Sequence, residues 1–362
     1  MKCFQRLIDH QKKLELELVL ASARDAQQQL QRHPIAPPPA DLPPEAEQAA
    51  HRLTHLPYAA WCPSCLAHRA RQNRHERTGE SHSNAVPTVS FDFFYTKADG
   101  DEEPDETTPD TVLALVMVCS QTGYVSCVPL QNKNQLDLMN RELVQFVQRL
   151  GHSECNLRCD NEPAILQLQR LATRTRQSMG LKTKMTSSVA YDHGNALAEN
   201  AVSRVRALAC SLMHQLHGRL GITLSTNNAM WSWALRHSAW LLSRFSVTNG
   251  ATPFELAHGR QFTGSLCEYG EPVYGFIHPG TKKAAAKWRR AIFLGKSEDQ
   301  NSFVLFDGKA IVLSKNVRRI TTTWRSHMAF YIYNKCHLAV SIWLWSPNPS
   351  NHEKDHPEGS EL

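Results

Sequence analysis

The sequence predicts an α/β protein whose centre is a sheet of mixed strand directions with flanking helices. Three strand-like runs follow one another between residues 86 and 130, and helical and strand-like patterns then alternate as far as residue 217. That order favours a mixed sheet covered by helices. A small His/Cys segment precedes this region. After residue 252 come short strands separated by glycine turns, a pattern typical of a small β-rich module.

The composition fits an intracellular protein with a packed core. The chain has 362 residues, enough for two or three modest domains, and its apolar fraction of 41% excludes a disordered protein. Ten cysteines are too few for a disulfide scaffold, and the N-terminal stretch is charged and amphipathic, so we expect a reducing compartment and no membrane. The net charge of +6 permits a polyanionic partner without requiring one.

Residues 1–45 are predicted to form a helix and a stiff linker. Within residues 4–32, apolar side chains lie on one helical stripe, as expected for a solvated or partner-bound helix. Residues 34–44 are rich in proline, a composition that is extended and non-helical. The linker therefore marks a domain boundary.

Residues 46–80 contain side chains that bind transition metals. His51 and His55 are one helical turn apart, so on a helix they share one face. Cys62 and Cys65 have the C-x2-C spacing that lets two thiolates bind one tetrahedral zinc ion. Together these four residues predict a His2Cys2 zinc site. The alternative is that both cysteines are ordinary buried or free thiols.

The next elements are predicted to carry acids at the ends or centres of strands. Asp92 lies in a strand in which Val89, Phe91, Phe93 and Tyr95 alternate with it and point to the opposite face. An exposed acidic loop covers residues 98–110, and residues 111–119 and 123–130 form a hairpin. A helix at 136–150 leads to a strand at 156–160 that ends in Asp160.

A third acid is predicted in the first turns of a long helix. A helix at 163–179 and a strand at 182–187 precede a turn at 192–195, which opens a helix reaching about residue 217. Glu199 lies early in this helix, where acids are common because the helix macrodipole favours them. Glu199 and Arg206 share its polar face. Two strand acids and one helix acid can meet at one point and hold divalent metal.

The elements after residue 230 contain no predicted catalytic or metal-binding residues. A helix at 230–245 contains Trp231, Trp233 and Trp240, which favours core packing over stacking on bases. Strands follow at 290–295, 302–307 and 310–320, preceded by a basic cluster that includes Lys287, Arg289 and Arg290. The tail, residues 321–362, matches none of these patterns.

Several motifs in order resemble the catalytic core of a retrotransposon or retroviral integrase and its flanking segments, most closely those of copia-like elements. The zinc-binding segment of that family resembles HRLTHLPYAAWCPSC, its first-acid strand SFDFF, its second-acid strand LRCDNEPA, and its glutamate helix HGNALAENAVSRVR. The segments that follow the core in copia-type polyproteins resemble TPFELAHGRQ and AIFLGKSEDQNSFVLFDGKAIVLSKNV. The resemblance covers about residues 51–320. It assigns residues 84–250 to the core and 251–320 to the C-terminal β-rich module.

The resemblance implies an RNase H-like fold and metal-dependent DNA strand transfer by a piece of a mobile-element polyprotein. Asp92, Asp160 and Glu199 would be the catalytic ligands of Mg2+ or Mn2+, with Zn2+ at the His/Cys segment. Two ions on shared carboxylates suit in-line phosphodiester displacement, one activating water or a terminal 3′-hydroxyl and the other stabilising the leaving oxygen.

The implied partners are DNA, as element ends and target duplex, and further copies of the chain, in the nucleus rather than the cytoplasm. Basic side chains release counterions when they bind phosphates, so clusters of them mark the expected contacts. For the basic run at residues 68–77, which follows the His/Cys segment, a solvated linker is an equally good interpretation. The expected nucleic-acid contacts are Arg69, Arg71, Arg74, Arg206, Lys287, Arg289 and Arg290.

Two other functions are compatible with the motifs. A catalytically inactive, nucleic-acid-binding remnant is favoured by the short spacing between His55 and Cys62, where the family has a longer insert, and by the unmatched tail. A nuclease of the same fold acting on RNA–DNA hybrids fits the acids, but the flanking segments match integrases better. The three acids could also be ordinary surface carboxylates.

Overall fold

The computed structural model describes residues 42–69, 86–97, 110–187, 195–276 and 286–320. The chain divides into two compact units, residues 1–42 and 43–362, and all described residues except Leu42 belong to the second. Several predicted features lie outside the described residues. These are the N-terminal helix and linker up to residue 41, Arg71 and Arg74, the acidic loop at 98–109, the turn residues 192–194, and the tail.

The His/Cys segment forms two short helices, α1 (Glu45–Thr54) and α2 (Pro63–Arg69). Helix α1 ends one residue before His55, which has a left-handed backbone with a φ of 53°. The His55 N–H still donates to the His51 carbonyl at 2.7 Å, and the two ring centres lie 5.2 Å apart, so the side chains meet although His55 follows the helix.

The centre of the protein is a five-stranded sheet built from β1 (Thr88–Thr96), β2 (Val112–Cys119), β3 (Val125–Leu130), β4 (Glu154–Cys159) and β5 (Lys182–Ser187). The strand order is β3-β2-β1-β4-β5. Strands β1, β2 and β3 pair antiparallel, whereas β4 pairs parallel with both β1 and β5. The mixed α/β fold class predicted from the sequence is confirmed.

Helices cover both faces of this sheet. Helices α3 (Leu136–Arg149) and α4 (Pro163–Ser178) pack on the face that carries Phe91 and Phe93. Helices α5 (Ala196–Leu220) and α6 (Ala229–Phe245) pack on the opposite face, which carries Phe94. Because strand side chains alternate between faces, Asp92 belongs to the face covered by α5. The sequence thus positions the first acid under the helix that bears the third.

The apolar faces of α5 and α6 explain this packing. The apolar residues of α5 that join the core, among them Ala198, Val205 and Leu212, are buried. In α6, Trp231, Trp233 and Trp240 are likewise buried, so the preferred interpretation of these residues as core packing is confirmed. None of the described helices is long and apolar enough to cross a membrane.

The C-terminal region is a second five-stranded sheet preceded by helix α7 (Pro253–His258). Its strands are β6 (Pro272–Phe276), β7 (Trp288–Lys296), β8 (Phe303–Phe306), β9 (Ile311–Ser314) and β10 (Val317–Arg319), in the order β10-β6-β7-β8-β9. The single strand predicted at 310–320 is therefore wrong. Ser314 ends β9 by donating its hydroxyl to the carbonyls of Phe276 (2.9 Å) and Asn316 (2.7 Å), and the chain continues on the opposite sheet edge.

Candidate active site and metal centre

Asp92 lies on β1, and Asp160 directly follows the last residue of β4, the strand that pairs parallel with β1. The β1–β4 register pairs Ser90 with Arg158, and each aspartate follows its paired residue by two positions. The chain neighbours of the two aspartates, Phe91, Phe93 and Cys159, pack toward α3 and α4. Asp92 and Asp160 therefore face the α5 side. Adjacent strands lie about 4.8 Å apart. The two acids predicted from separate motifs are thus neighbours across the sheet.

The start of α5 lies against β1 beside these aspartates. Asn195, the residue that precedes the helix, donates its side-chain amide to the carbonyl of Phe91 at 3.3 Å. Further along α5, Arg206 donates to the carbonyl of Tyr95 at 3.1 Å. Glu199 lies one helical turn after Asn195 and is exposed. The helix therefore runs along β1 and brings its first turn next to Asp92.

The pKa of Asp92 is raised by burial and by nearby acids. Burial raises the pKa of this carboxyl to about 7, and the charges of Asp160, Glu162 and Glu199 act in the same direction. The Phe93 N–H, which donates to Asp92 Oδ1 at 2.8 Å, opposes the rise. Like-charged carboxylates that cannot separate favour a bound cation, since the cation removes their repulsion.

Glu162 is a fourth acid in this group, and it was not predicted as a site residue. Its carboxylate lies 2.6 Å from the Lys133 ammonium, which also sits 5.5 Å from the ring centres of Phe93 and Tyr95. The sequence signal was the DNEP run, in which Glu162 follows Asp160 by two positions. The lysine provides Glu162 with a counter-charge.

A tighter cluster is formed by the His/Cys segment. One ligand atom from each of His51, His55, Cys62 and Cys65 lies within 4.8 Å of the other three, and all four residues are buried. Among the described residues, these four are the side chains whose ligand atoms lie close enough together to bind one metal ion. The carboxylates of Asp92, Asp160 and Glu199 do not form an equally close group. The structure therefore brings together all four predicted zinc ligands.

The donor set and its geometry fit zinc. His55 Nδ1 lies 3.5 Å from Cys62 Sγ and 3.6 Å from Cys65 Sγ, and His51 Nε2 lies 3.3 Å from Cys65 Sγ. Two thiolates and two imidazoles are a common tetrahedral zinc set. A hydrogen bond from Cys65, together with those from His51 and His55, lowers the pKa of Cys62, while the adjacent Cys62 sulfur and burial raise the pKa of Cys65. A cation would allow both thiols to ionise.

The predicted nucleic-acid residues divide between internal contacts and the surface. Arg69 donates to the backbone carbonyl of His55 and approaches Cys65 Sγ at 3.8 Å, so it supports the His/Cys cluster. Arg206 is half-buried against Tyr95. Their contact with phosphates stays a prediction.

The basic residues around the start of β7 are exposed. Arg289 is paired with Asp307 at 3.2 Å, and Arg290 Nε lies 3.1 Å from the hydroxyl of Tyr274, whereas Lys287 precedes the strand. These side chains extend from the C-terminal sheet, a placement compatible with a polyanionic partner.

No protein-family model matches the chain, and no curated protein matches it. Among solved structures, the chain resembles one in the simian T-cell lymphotropic virus intasome bound to a PP2A regulatory subunit, with 16% identity and a TM-score of 0.36 over 72% of this chain and 88% of that chain. The chain also resembles the magnesium-bound HTLV-2 integrase catalytic core in its dimeric form, with 17% identity and a TM-score of 0.32 over 48% of this chain and 95% of that chain.

The BIV integrase catalytic core gives 16% identity and a TM-score of 0.31 over 47% of this chain and 92% of that chain. Similarities this weak carry no argument about what this chain binds or does.

Proposed function

We propose that this chain is an integrase-like polynucleotidyl transferase of the copia type that joins DNA strands with a divalent metal. The observation that supports the proposal most is the influence of Asp160 and Glu199 on Asp92, whose pKa is raised by burial and by the charges of both acids. Asp92 lies on β1, Asp160 directly follows the parallel strand β4, and Glu199 lies on the helix whose preceding residue, Asn195, contacts the Phe91 carbonyl. The motif order resembling that of copia-like integrases points to the same chemistry.

The protein groups have distinct tasks in this proposal. Bound Mg2+ or Mn2+ would supply Lewis-acid activation of the attacking and leaving oxygens. Asp92 and Asp160 would hold metal from a rigid sheet, and Glu199 would do so from the first turn of α5. Lys133 keeps Glu162 paired at 2.6 Å, and the contact of Asn195 with the Phe91 carbonyl fixes the position of the helix. No covalent nucleophile on the protein is required.

The His/Cys cluster would hold zinc in a structural role. All four ligand residues are buried, and a closed set of four protein ligands leaves no position for water or substrate. Such a site would fix α1 and α2 against α5. The cluster thus supports the catalytic helix without taking part in strand joining.

DNA is the proposed partner, with Lys287, Arg289 and Arg290 as candidate phosphate contacts on the C-terminal sheet. Multimerisation and a nuclear location follow from the resemblance and belong to the proposal. The residue ranges 46–80, 84–250 and 251–320 remain its proposed domains.

The alternative is an inactive nucleic-acid-binding remnant of such an enzyme. Two observations favour it: the carboxylates are less tightly grouped than the His/Cys donors, and Glu199 is exposed. A site that had lost metal affinity would retain both features. The two functions therefore differ in metal-dependent chemistry rather than in fold.

The test is strand transfer of a labelled duplex bearing the terminal sequence of the parent element, with Mg2+ or Mn2+. We expect metal-dependent joining by the wild type and at least a hundredfold loss in Glu199→Gln, a magnitude common when a group that stabilises transition-state charge is removed. Glu47→Gln is the matched control, because Glu47 is also an exposed acid in the first turn of a helix.

Joining that survives Glu199→Gln would refute the assignment of the acid site. Equal inactivity of wild type and variant, with salt-sensitive DNA binding in both, would establish the remnant instead. Loss of joining in Glu47→Gln as well would indicate a general effect of removing acidic charge.

A further inference from the structure

His55 presents its two ring nitrogens to different surroundings. Nδ1 faces the sulfurs of Cys62 and Cys65, whereas Nε2 lies 2.6 Å from Oε1 of Gln215 on helix α5. An amide oxygen can only accept, so Nε2 must carry the proton in this arrangement. The lone pair of Nδ1 is then directed at the thiols. Gln215 thereby selects the tautomer of His55 that can bind metal.

The orientation of Gln215 is itself fixed by a buried acid. Its amide nitrogen donates to Glu268 Oε2 at 3.2 Å, which requires the oxygen to face His55. The Glu268 side chain is only 8% exposed. A buried carboxylate accepts hydrogen bonds and cannot donate them when ionised, so the reversed amide would place two acceptors against each other.

Glu268 is held by arginines from three separate elements. It pairs with Arg219 on α5, lies 3.8 Å from Arg52 on α1, and lies 3.7 Å from Arg319 on β10. Arg319 also pairs with Glu271 at the start of the C-terminal sheet. A continuous chain of polar contacts therefore runs from the imidazole of His55 to the edge strand of that sheet.

We propose that Gln215 and Glu268 are positioning residues for the His/Cys metal site and that they couple its occupancy to the packing of β10. The inference rests on zinc binding by His51, His55, Cys62 and Cys65, as proposed above. Metal-bound histidines are oriented by the partner of their second nitrogen, and losing that partner commonly weakens metal binding ten- to a hundredfold. Gln215 is that partner here.

The first measurement is zinc affinity of the full chain by competition with a chromophoric chelator. We expect one zinc per wild-type chain, and ten- to hundredfold weaker binding in Gln215→Leu, which removes the acceptor. Gln215→Asn, whose shorter side chain does not reach Nε2, provides a second variant should the leucine disturb folding. The exchange Gln215→Glu with Glu268→Gln restores an acceptor opposite His55 and should recover most of the affinity.

The control is Gln177→Leu, an exposed glutamine on α4, which should leave zinc affinity unchanged. The absorption spectrum of Co2+ bound in place of zinc supplies a signature of ligand geometry, and we expect it to change in Gln215→Asn. Wild-type zinc affinity and an unchanged Co2+ spectrum in a folded Gln215 variant would overturn the positioning role. A wild type that binds no zinc would refute the His/Cys metal site and this inference with it. The proposed strand transfer at the acid site is tested separately by the joining assay.

The coupling is tested by hydrogen exchange of the β10 amides with and without zinc. In the wild type, zinc removal should speed their exchange, and in Gln215→Leu or Gln215→Asn this dependence should disappear. Because linkage is reciprocal, Arg319→Ala should in turn weaken zinc binding. Zinc-independent exchange of β10 in the wild type would overturn the coupling while leaving the effect on affinity to stand.

Discussion

Arg244 and Glu298 form a buried ion pair, with Arg244 Nη2 2.9 Å from Glu298 Oε2. The pair links α6, which packs on the central sheet, to the connection between β7 and β8. The Arg244 guanidinium also lies 4.3 Å from the ring centre of Trp240, and the Tyr124 hydroxyl donates to Glu298 at 3.2 Å. Although burial acts to raise it, the pKa of Glu298 is lowered by the charges of Arg244 and Arg149.

We expect Glu298→Gln to lower the free energy of unfolding by about 3 kcal/mol, because it leaves a buried guanidinium without its counter-charge. Urea denaturation at neutral pH measures this loss. The folded-state pKa of Glu298 is lower than its pKa in the unfolded chain. The ionised carboxylate therefore contributes its full stability above the unfolded-state pKa, and this stability is lost as the pH falls through the folded-state pKa. The difference between wild type and variant should therefore shrink in acid.

The neighbouring substitution Asp299→Asn is the matched control. Asp299 pairs with Arg149 at 2.7 Å, but its side chain is 66% exposed. Surface pairs contribute at most about 1 kcal/mol, so this variant should stay close to wild type. Equal losses in both variants would contradict the importance of burial at Glu298.

Asp92 is predicted to destabilise the metal-free protein at neutral pH. Its folded-state pKa, raised to about 7 by burial and by the neighbouring acids, exceeds the ordinary value of 3.8. The folded state then binds more protons than the unfolded state between these values, so stability falls as pH rises through this window. With a chelator present, Asp92→Asn should be more stable than wild type by on the order of 2 kcal/mol at about pH 8, and by much less at about pH 5.

Urea denaturation at the two pH values, repeated with Mg2+ in place of chelator, measures this effect. Mg2+ should stabilise the wild type and leave Asp92→Asn almost unchanged, since a site lacking Asp92 has lost a ligand. Glu47→Gln, which removes an exposed acid, should show neither response. A pH-independent difference between Asp92→Asn and wild type would refute the perturbed titration.

The elements set by local periodicity were predictable from sequence. Strand β5 has the predicted bounds, and α3 and α4 end within two residues of prediction beside Gly151 and Gly180, which have φ values of 72° and 77°. Positive φ favours glycine, so these stops are visible in the sequence. The C-x2-C spacing likewise identified both zinc-type thiols.

Contacts between distant segments were not predictable in the same way. The pairing of Gln215 with His55 spans 160 positions, and nothing in the pattern around Gln215 distinguishes it from an ordinary polar helix residue. In the sequence, Glu162 is only the residue before a helix. Its place in the acid group depends on its ion pair with Lys133, which comes from another segment. The strand break after Ser314 depends on the carbonyl of Phe276, on another strand. Each miss concerns a partner supplied by the fold.

Gly295 is predicted to resist substitution. It lies in the bulge of β7 with a φ of 153°, and a Cβ there would come within 3.1 Å of the His237 ring, which is buried. Gly295→Ala should lower the free energy of unfolding by about 1–3 kcal/mol through backbone strain and crowding. Thermal and urea unfolding of the purified variant measure the loss.

Gly218→Ala provides the contrasting glycine. It lies inside helix α5, is exposed, and would place its Cβ where no other atom lies within 4 Å. Alanine is favoured over glycine in helix interiors by about 1 kcal/mol, so this variant should be more stable than wild type. Destabilisation by Gly218→Ala, or none by Gly295→Ala, would contradict the two local environments.

Removal of metal from the His/Cys cluster should release α1 and α2 from the rest of the protein. We expect the wild type to bind one zinc per chain, and Cys65→Ser to bind none, because the hydroxyl is a far poorer zinc ligand than a thiolate. Chelator treatment of the wild type and the Cys65→Ser variant should lower the melting temperature to a similar extent. Metal analysis and calorimetry provide both measurements.

Cys210→Ser is the matched control for this experiment, since Cys210 is a half-buried cysteine on α5 outside the four-residue cluster. It should retain the zinc and the response to chelator. Zinc retained by Cys65→Ser would mean that the metal lies elsewhere. A chelator-insensitive melting temperature in a wild type that does bind zinc would show that the cluster holds metal without stabilising the fold, and α1 and α2 would then be held by their packing on α5 alone.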